Sequence, residues 1–338
     1  MSFMIINRVY KFFIIIIWIA ALISRMTVSA SADSGLGPLQ VKNQYPLFLM
    51  FLTPVPESAE LVQPKKLETG LAIDYSSVYL NSVSNNWQAL MDMELMVLQF
   101  SAAYGLTSNL TLAANIPLVS MNGGWMDGYL ADYHDYFGFP NYGRECRPQN
   151  DFGYSIKKDG EQWFDASSGG LHLADSTASV KIGLLDEKDN GHFSLSFKYI
   201  LKVPLGNEKH GFGSGACDHG FLLLSSINLD SLIVYLNPGY ILLSDPAISN
   251  PKISVNNIYT LFAGIEYMVT QSWSIITQLN CFTAPLEKTG ISWLDQDSIE
   301  LGLGIAFKAW HRGKLELAFC EDLTRSAPDF NLHFKITL

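Results

Sequence analysis

Asp127, Asp132, His134 and Asp135 form the densest group of residues in this sequence that could do acid–base or metal chemistry. An imidazole beside carboxylates is the pairing that a general base and its orienting acid use, and it is also a metal-ligand set. Spacing limits both readings. Asp127 and His134 lie seven residues apart, which on a helix is two turns and about 10 Å along the axis, too far to share one metal directly. The plainer reading is a carboxylate near a helix start and a hydrogen-bonded histidine. A second group, Ser168 and His172 in Ser168-Gly169-Gly170-Leu171-His172, offers a nucleophile and a base, as a lipid hydrolase needs. It lacks the surrounding motif of a membrane phospholipase. The four cysteines (146, 217, 281 and 320) do not have zinc-site spacing. No catalytic set, no metal and no cofactor is expected, and the reading leans away from an enzyme.

Gly123–Arg144 sits in the longest gap between two strand-like runs, 119–168, where a β-protein normally spends only a few residues. Met126, Leu130, Tyr133 and Phe137 recur at i, i+4, i+7 and i+11, which predicts one face of a short helix. Gly138 and Pro140 end it. The expected place for this loop is in or over the outer mouth of a barrel, as a constriction formed by Asp127, Asp132, His134, Asp135 and Arg144. Lys198 and Lys202 would then meet Asp132 and Asp135, and Arg144 would anchor the loop to a lumen carboxylate. The alternative place for the helix is the membrane surface.

The barrel itself is read from composition and alternation. The chain is 48% hydrophobic, 12% aromatic and only 16% charged, with net charge −10, which argues against nucleic acid as a partner. Residues 1–32 read as a cleaved signal peptide, with Arg8 and Lys11, an apolar run Phe12 to Ile23, and Ala30-Ser31-Ala32 before Asp33. Cleavage removes Arg8, Lys11 and Arg25 and no acid, so the charge goes from −10 to −13. After it no apolar run approaches the roughly 20 residues of a membrane helix. From Leu67 onward, runs of about ten residues alternate apolar and polar, the pattern of a wall with lipid on one side and a polar lumen on the other. Connections alternate in length too. Short ones (107–109, 186–191, 230–231, 271–272, 311–313) separate long ones (81–87, 119–168, 205–217, 244–256, 283–296, 321–327).

The expected fold class is therefore all-β: a transmembrane antiparallel β-barrel of about 12 strands over 66–338, with a long outer loop carrying a short helix. A soluble sandwich would show a polar outer face, whereas here the uncharged, aromatic face is the larger one. Residues 33–65, apolar at Leu47 to Leu52 and fenced by Pro46, Pro54 and Pro56, are either a plug tucked into the barrel or a tail on the periplasmic rim. The charged parity predicts Asp74, Asp92, Glu94, Lys198, Lys202, Glu266 and Glu300 as lumen-facing. Cys146 and Cys217, both in outer loops on an oxidising export route, are expected to be able to form a disulfide, with free thiols as the competing state.

Gly123-Gly124-x-Met126-Asp127, His134-x-x-Phe137-Gly138-x-Pro140-x-x-Gly143-Arg144, Val203-Pro204-Leu205-Gly206, Gly213-Ser214-Gly215, Glu321-Asp322-Leu323 and Ala327-Pro328-Asp329 form a set of motifs. Together they resemble one family of proteobacterial outer-membrane proteins, the domain of unknown function 3187 family. Cys217 departs from the pattern. The resemblance implies a barrel in a Gram-negative outer membrane and no established activity. The expected partners are outer-membrane lipids, a small solute, and the barrel assembly machinery during biogenesis. The expected function is a narrow channel for small solutes. The alternatives are a transporter of hydrophobic compounds with an N-terminal plug, a barrel-embedded lipid hydrolase, and a structural surface protein.

Overall fold

The computed structural model describes residues 35–138, 140–187, 191–309 and 313–338. The expected signal peptide lies outside the described residues, as do parts of the turns at 186–191 and 311–313. In chain order the strands are β1 (Leu67–Val83), β2 (Trp87–Thr107), β3 (Leu110–Asn122), β4 (Gly153–Lys158), β5 (Glu161–Ala166), β6 (His172–Leu173), β7 (Ser176–Leu185) and β8 (Phe193–Val203). Then come β9 (Asp218–Leu229), β10 (Leu232–Leu242), β11 (Ile258–Thr270), β12 (Trp273–Phe282), β13 (Ser298–Ala309), β14 (Gly313–Asp322) and β15 (Phe330–Thr337). Among the described residues three short α-helices are not part of the wall: α1 (Pro46–Leu49), α2 (Asp127–Phe137) and α3 (Ser292–Asp295).

Twelve of the strands pair antiparallel with their neighbours in sequence order and close on themselves. The closing seam joins β1 to β15 from Gly70↔Thr337 to Ser77↔Phe330. The other three strands belong to the long connection between β3 and β7. The β4–β5 hairpin adds to the long-loop end of β2, from Trp87↔Lys158 to Asp92↔Gly153. The β6 pair extends the line of β7 along β3. The hairpin tip is Asp159-Gly160, both at positive φ, the residue pair that a two-residue hairpin turn demands.

Inside the wall, residues 35–66 form a segment that runs the length of the barrel and returns. It begins beside Glu266 and Lys314, near the short-turn ends of β11 and β14. It reaches Ser298 and Asp218, the first residues of β13 and β9 at the long-loop end, through Asn43 and Leu52. It then descends past Asn237 and Ser226 to Thr111 and Gly105 at the short-turn end. There Lys65 N donates to the Gly105 carbonyl at 2.7 Å and Gly105 N to Lys66 O at 3.0 Å. A Cβ on Gly105 would lie 2.2 Å from Gln63 O, so only glycine allows this approach.

The wall has a place for each part of the segment. The ascending limb, 35–45, lies against small residues: Gly304 and Ala306 of β13, and Ala318 and Cys320 of β14. The apex, 46–52, is apolar. Leu47, Phe48, Met50, Phe51 and Leu52 pack with the inward side chains of β2, Ala89, Met91, Met93, Leu95 and Val97, and with Ile241, Ile258 and Phe282. At about 1.5–3 kcal/mol for each large side chain, the apex contributes on the order of 10 kcal/mol before ordering costs. The descending limb is held by polar contacts.

Candidate functional site

The polar wall facing the segment has two halves. On the β11–β15 side, carboxylates accept the backbone N–H groups of the ascending limb. Glu266 accepts from Leu36 N and Gly37 N, both at 2.8 Å, and from the Tyr235 hydroxyl at 2.5 Å. Glu316 accepts from Gln40 N at 2.9 Å and pairs with Lys314 at 2.9 Å. Gln278 exchanges two 3.1 Å hydrogen bonds with the Leu39 backbone. Asp74 on β1 meets His333 Nδ1 at 2.9 Å, and Glu300 is buried on the same inward parity.

The β7–β9 side is basic. Lys198 and Lys181 both pair with Glu57 of the descending limb, Lys181 at 3.1 Å. Lys202 is buried between Asp175 and Asp218, 2.9 Å from each, and donates to the apex carbonyl of Met50 at 2.9 Å. These ion pairs satisfy charges that would be costly to bury alone. Burial works against ionising Glu57, yet Lys198 and Lys181 hold its carboxyl at about 2. Burial, and then the Lys202 charge, push the Lys42 ammonium down to about 8.

The long loops enclose an open recess of ≈ 960 Å³ bordered by Asn85, Lys158, Lys252 and Lys288. Two of its lining residues, Trp87 and Leu286, belong to the apolar apex core. Beside Lys42, Gln99, Pro117 and Asp175 is a cavity of ≈ 30 Å³, room for about one water.

The loop 123–151 lies outside this lumen, against the outer face of the wall, and this corrects the expectation that it enters the mouth. Met126 and Leu130 of the loop are buried on Phe330, Tyr75 and Phe319, all outward-facing. Arg144 donates to Asp127 at 2.7 Å and Ser77 Oγ at 3.0 Å and pairs with Asp329. It therefore anchors the loop through Asp329 and Ser77 on the outer face and not through a lumen carboxylate. His134 Nδ1 is 2.8 Å from Asn141 Oδ1 within the loop. Asp132 and Asp135 are exposed, and Lys198 and Lys202 are engaged elsewhere.

Asp92 and Glu94 are corrected for the same reason. In β2 the apolar parity points inward onto the apex, so both carboxylates point outward and lie under the loop. Arg147 pairs with Asp92, while Glu94 accepts from Trp125 N at 2.8 Å and Met126 N at 2.6 Å. Asp74, Lys198, Lys202, Glu266 and Glu300 are buried on the inward parity. Cys146 and Cys217 are both free and exposed. The His172 ring stacks on Phe212 with centroids 4.4 Å apart, and its Nε2 is 3.1 Å from the Gly169 carbonyl.

Sequence reasoning did not single out Glu57, Asp175 or Asp218. The signal available for Glu57 was an acid directly after Pro54 and Pro56, in a chain whose wall carries lysines at alternate positions. Asp175 and Asp218 each stand just at a strand start, where a loop acid is unremarkable.

A closed antiparallel wall of twelve strands with a polar inner face is an outer-membrane β-barrel architecture. The COG4313 outer membrane channel from Pseudomonas putida F1 has the same fold, with a TM-score of 0.55 and 14% identity over 83% of this chain and 98% of that one. The NanC porin is also similar, with a TM-score of 0.45 and 7% identity over 81% of this chain and 99% of its own. The KdgM porin gives 0.40 and 12% over 79% and 97%. No curated protein matches the chain. The chain belongs to the family described as protein of unknown function (DUF3187), whose pattern matches residues 14–338.

Proposed function

We propose that this protein is an outer-membrane channel for small solutes that is closed at rest by its own N-terminal segment. The short-turn end faces the periplasm, and the chain arrives there behind a cleaved signal peptide and through the barrel assembly machinery. The observation that carries the reading is the course of residues 35–66, which fill the lumen from the short-turn end to the long-loop end and back. Conduction then requires the apex to move. The ion pairs of Glu57 and Lys202 set how readily it does.

Planar-bilayer recording tests this. The full-length mature chain should give little steady conductance, and deletion of 35–62 should give stepwise openings from a folded barrel. Equal conductance from both would sink the reading.

A second reading, a transporter of hydrophobic compounds with the same plug, is favoured by one observation. Met50, Met91, Met93 and Met121 give the apex region a soft apolar lining, which adapts to varied apolar ligands. Liposome uptake of a monoaromatic compound against a sugar of similar size separates the two.

A further inference from the structure

On the outer face of β8–β11 a lateral row of aromatic residues marks one height of the barrel. Tyr199 pairs with Phe221, Phe221 with Tyr240, and Tyr240 with Tyr259. The rings touch, with centroids 5.5 Å apart for Tyr199–Phe221 and 4.9 Å for Tyr240–Tyr259. Their polar tips are engaged, Tyr199 with His219 and Tyr240 with Asn257. Rings on an apolar wall with wet tips at the long-loop end are the girdle of a membrane–water interface.

The opposite quadrant cannot supply such a row. At the long-loop end of β1 and β2 the outward pairs are Ser77↔Glu94 and Tyr79↔Asp92, which are mostly polar. The loop 123–151 covers them. The face that α2 and its lead-in residue turn away from the wall carries Trp125, Tyr129, Asp132 and Tyr136, spaced i, i+4, i+7 and i+11. The three aromatics are 69%, 61% and 83% exposed. Toward the short-turn end the same quadrant continues as an exposed apolar band of Phe100, Leu317, Leu332 and Phe334.

We propose that α2 is a membrane-interface element. Trp125, Tyr129 and Tyr136 seat in the headgroup layer of the bilayer and complete the girdle over the quadrant where the wall is polar. Continuity with the apolar band identifies the occupant as lipid. A second copy fits less well, because a two-fold contact through this face would bring Asp132 and Asp135 toward their own copies. The inference rests on the outer-membrane reading of the fold, and Trp273, outward-facing at the short-turn end of β12, serves as the internal control.

The test is tryptophan fluorescence of the full mature chain in phosphatidylethanolamine/phosphatidylglycerol vesicles, with and without a phospholipid carrying a headgroup nitroxide. Wild type is compared with Trp125→Phe and Trp273→Phe. The expected result is that each substitution removes a component quenched by the nitroxide lipid, and that aqueous iodide does not reach the Trp125 component. A Trp125 component quenched by iodide but not by nitroxide lipid, beside a lipid-quenched Trp273, overturns the inference and leaves the channel reading standing. A Trp125 shielded from both quenchers, with copies cross-linking through Trp125→Cys, overturns it in favour of self-association. If neither tryptophan senses the nitroxide, this inference and the outer-membrane reading fall together.

Discussion

Arg144 lies 2.7 Å from Asp127 and reaches across to Ser77 of β1 and to Asp329 just before β15, so one guanidinium pins the loop at the barrel's closing seam. Removing it leaves two carboxylates on the covered outer face without their cation. Arg144→Ala should destabilise the loop by about 3–5 kcal/mol. Limited proteolysis should then cut within 123–151 while the barrel keeps its heat-modifiable mobility. Asp127→Asn in the same chain should restore part of the protection.

Gly124 tests the same attachment by shape. Its φ is +68°, and a Cβ there would lie 1.8 Å from the Glu94 carboxyl carbon. Gly124→Ala should expose the loop to protease as Arg144→Ala does, with conductance unaltered. Deleting 124–142 should likewise leave conductance unaltered, alone or on top of the 35–62 deletion. An increase in conductance would return the loop to the role of a gate.

Lys202 holds the apex. It neutralises Asp175 and Asp218 and caps the Met50 carbonyl, and it is among the most deeply buried large side chains of the chain. Lys202→Met should leave the two acids unpaired at a cost of about 3–5 kcal/mol. Single-channel recording should show a higher open probability than wild type. Adding Asp218→Asn should lower it again.

The seating of the segment should depend on pH at two places. The Glu57 carboxyl is held at about 2, below its ordinary 4.5, so its contribution is complete above 4.5 and is lost as pH falls through about 2. Lys42 is held at about 8, below its ordinary 10.5. Between those values the released segment binds a proton that the seated one lacks, so seating strengthens as pH rises from 8 to 10.5. Channel opening should rise on acidification below pH 4.5 and fall on alkalinisation above pH 8. Glu57→Gln should abolish the first response and Lys42→Met the second, read as open probability in bilayers.

The wall was legible from alternation because every strand must present one face to each of two solvents, and the connection lengths gave its up-and-down order. Which face is inner was legible only where the charged parity faced the lumen, as at Asp74 and Glu266. It failed at β2. Asp92 and Glu94 alternate with Met91, Met93 and Leu95 as a lumen-lining strand would, yet the apex demands the apolar side and the loop supplies partners for the charges. Period-2 patterning reports two faces and is silent on which is inside. The same ambiguity put α2 in the mouth, since its apolar face needs burial but does not name the surface that provides it. The β4–β5 hairpin was readable from Asp159-Gly160 between Tyr154, Ile156 and Trp163, a signal masked by treating 119–168 as one connection.

Both ends of the segment 35–66 are at the same mouth of the barrel, and only its bend reaches the other. A straight plug could leave only by drawing a chain terminus through the whole bore. A doubled strand has no such topological obstacle, because it can slide out by the way it entered and nothing needs to be threaded on return. Reversible emptying of the bore is thus compatible with a chain whose first strand remains sewn to its last.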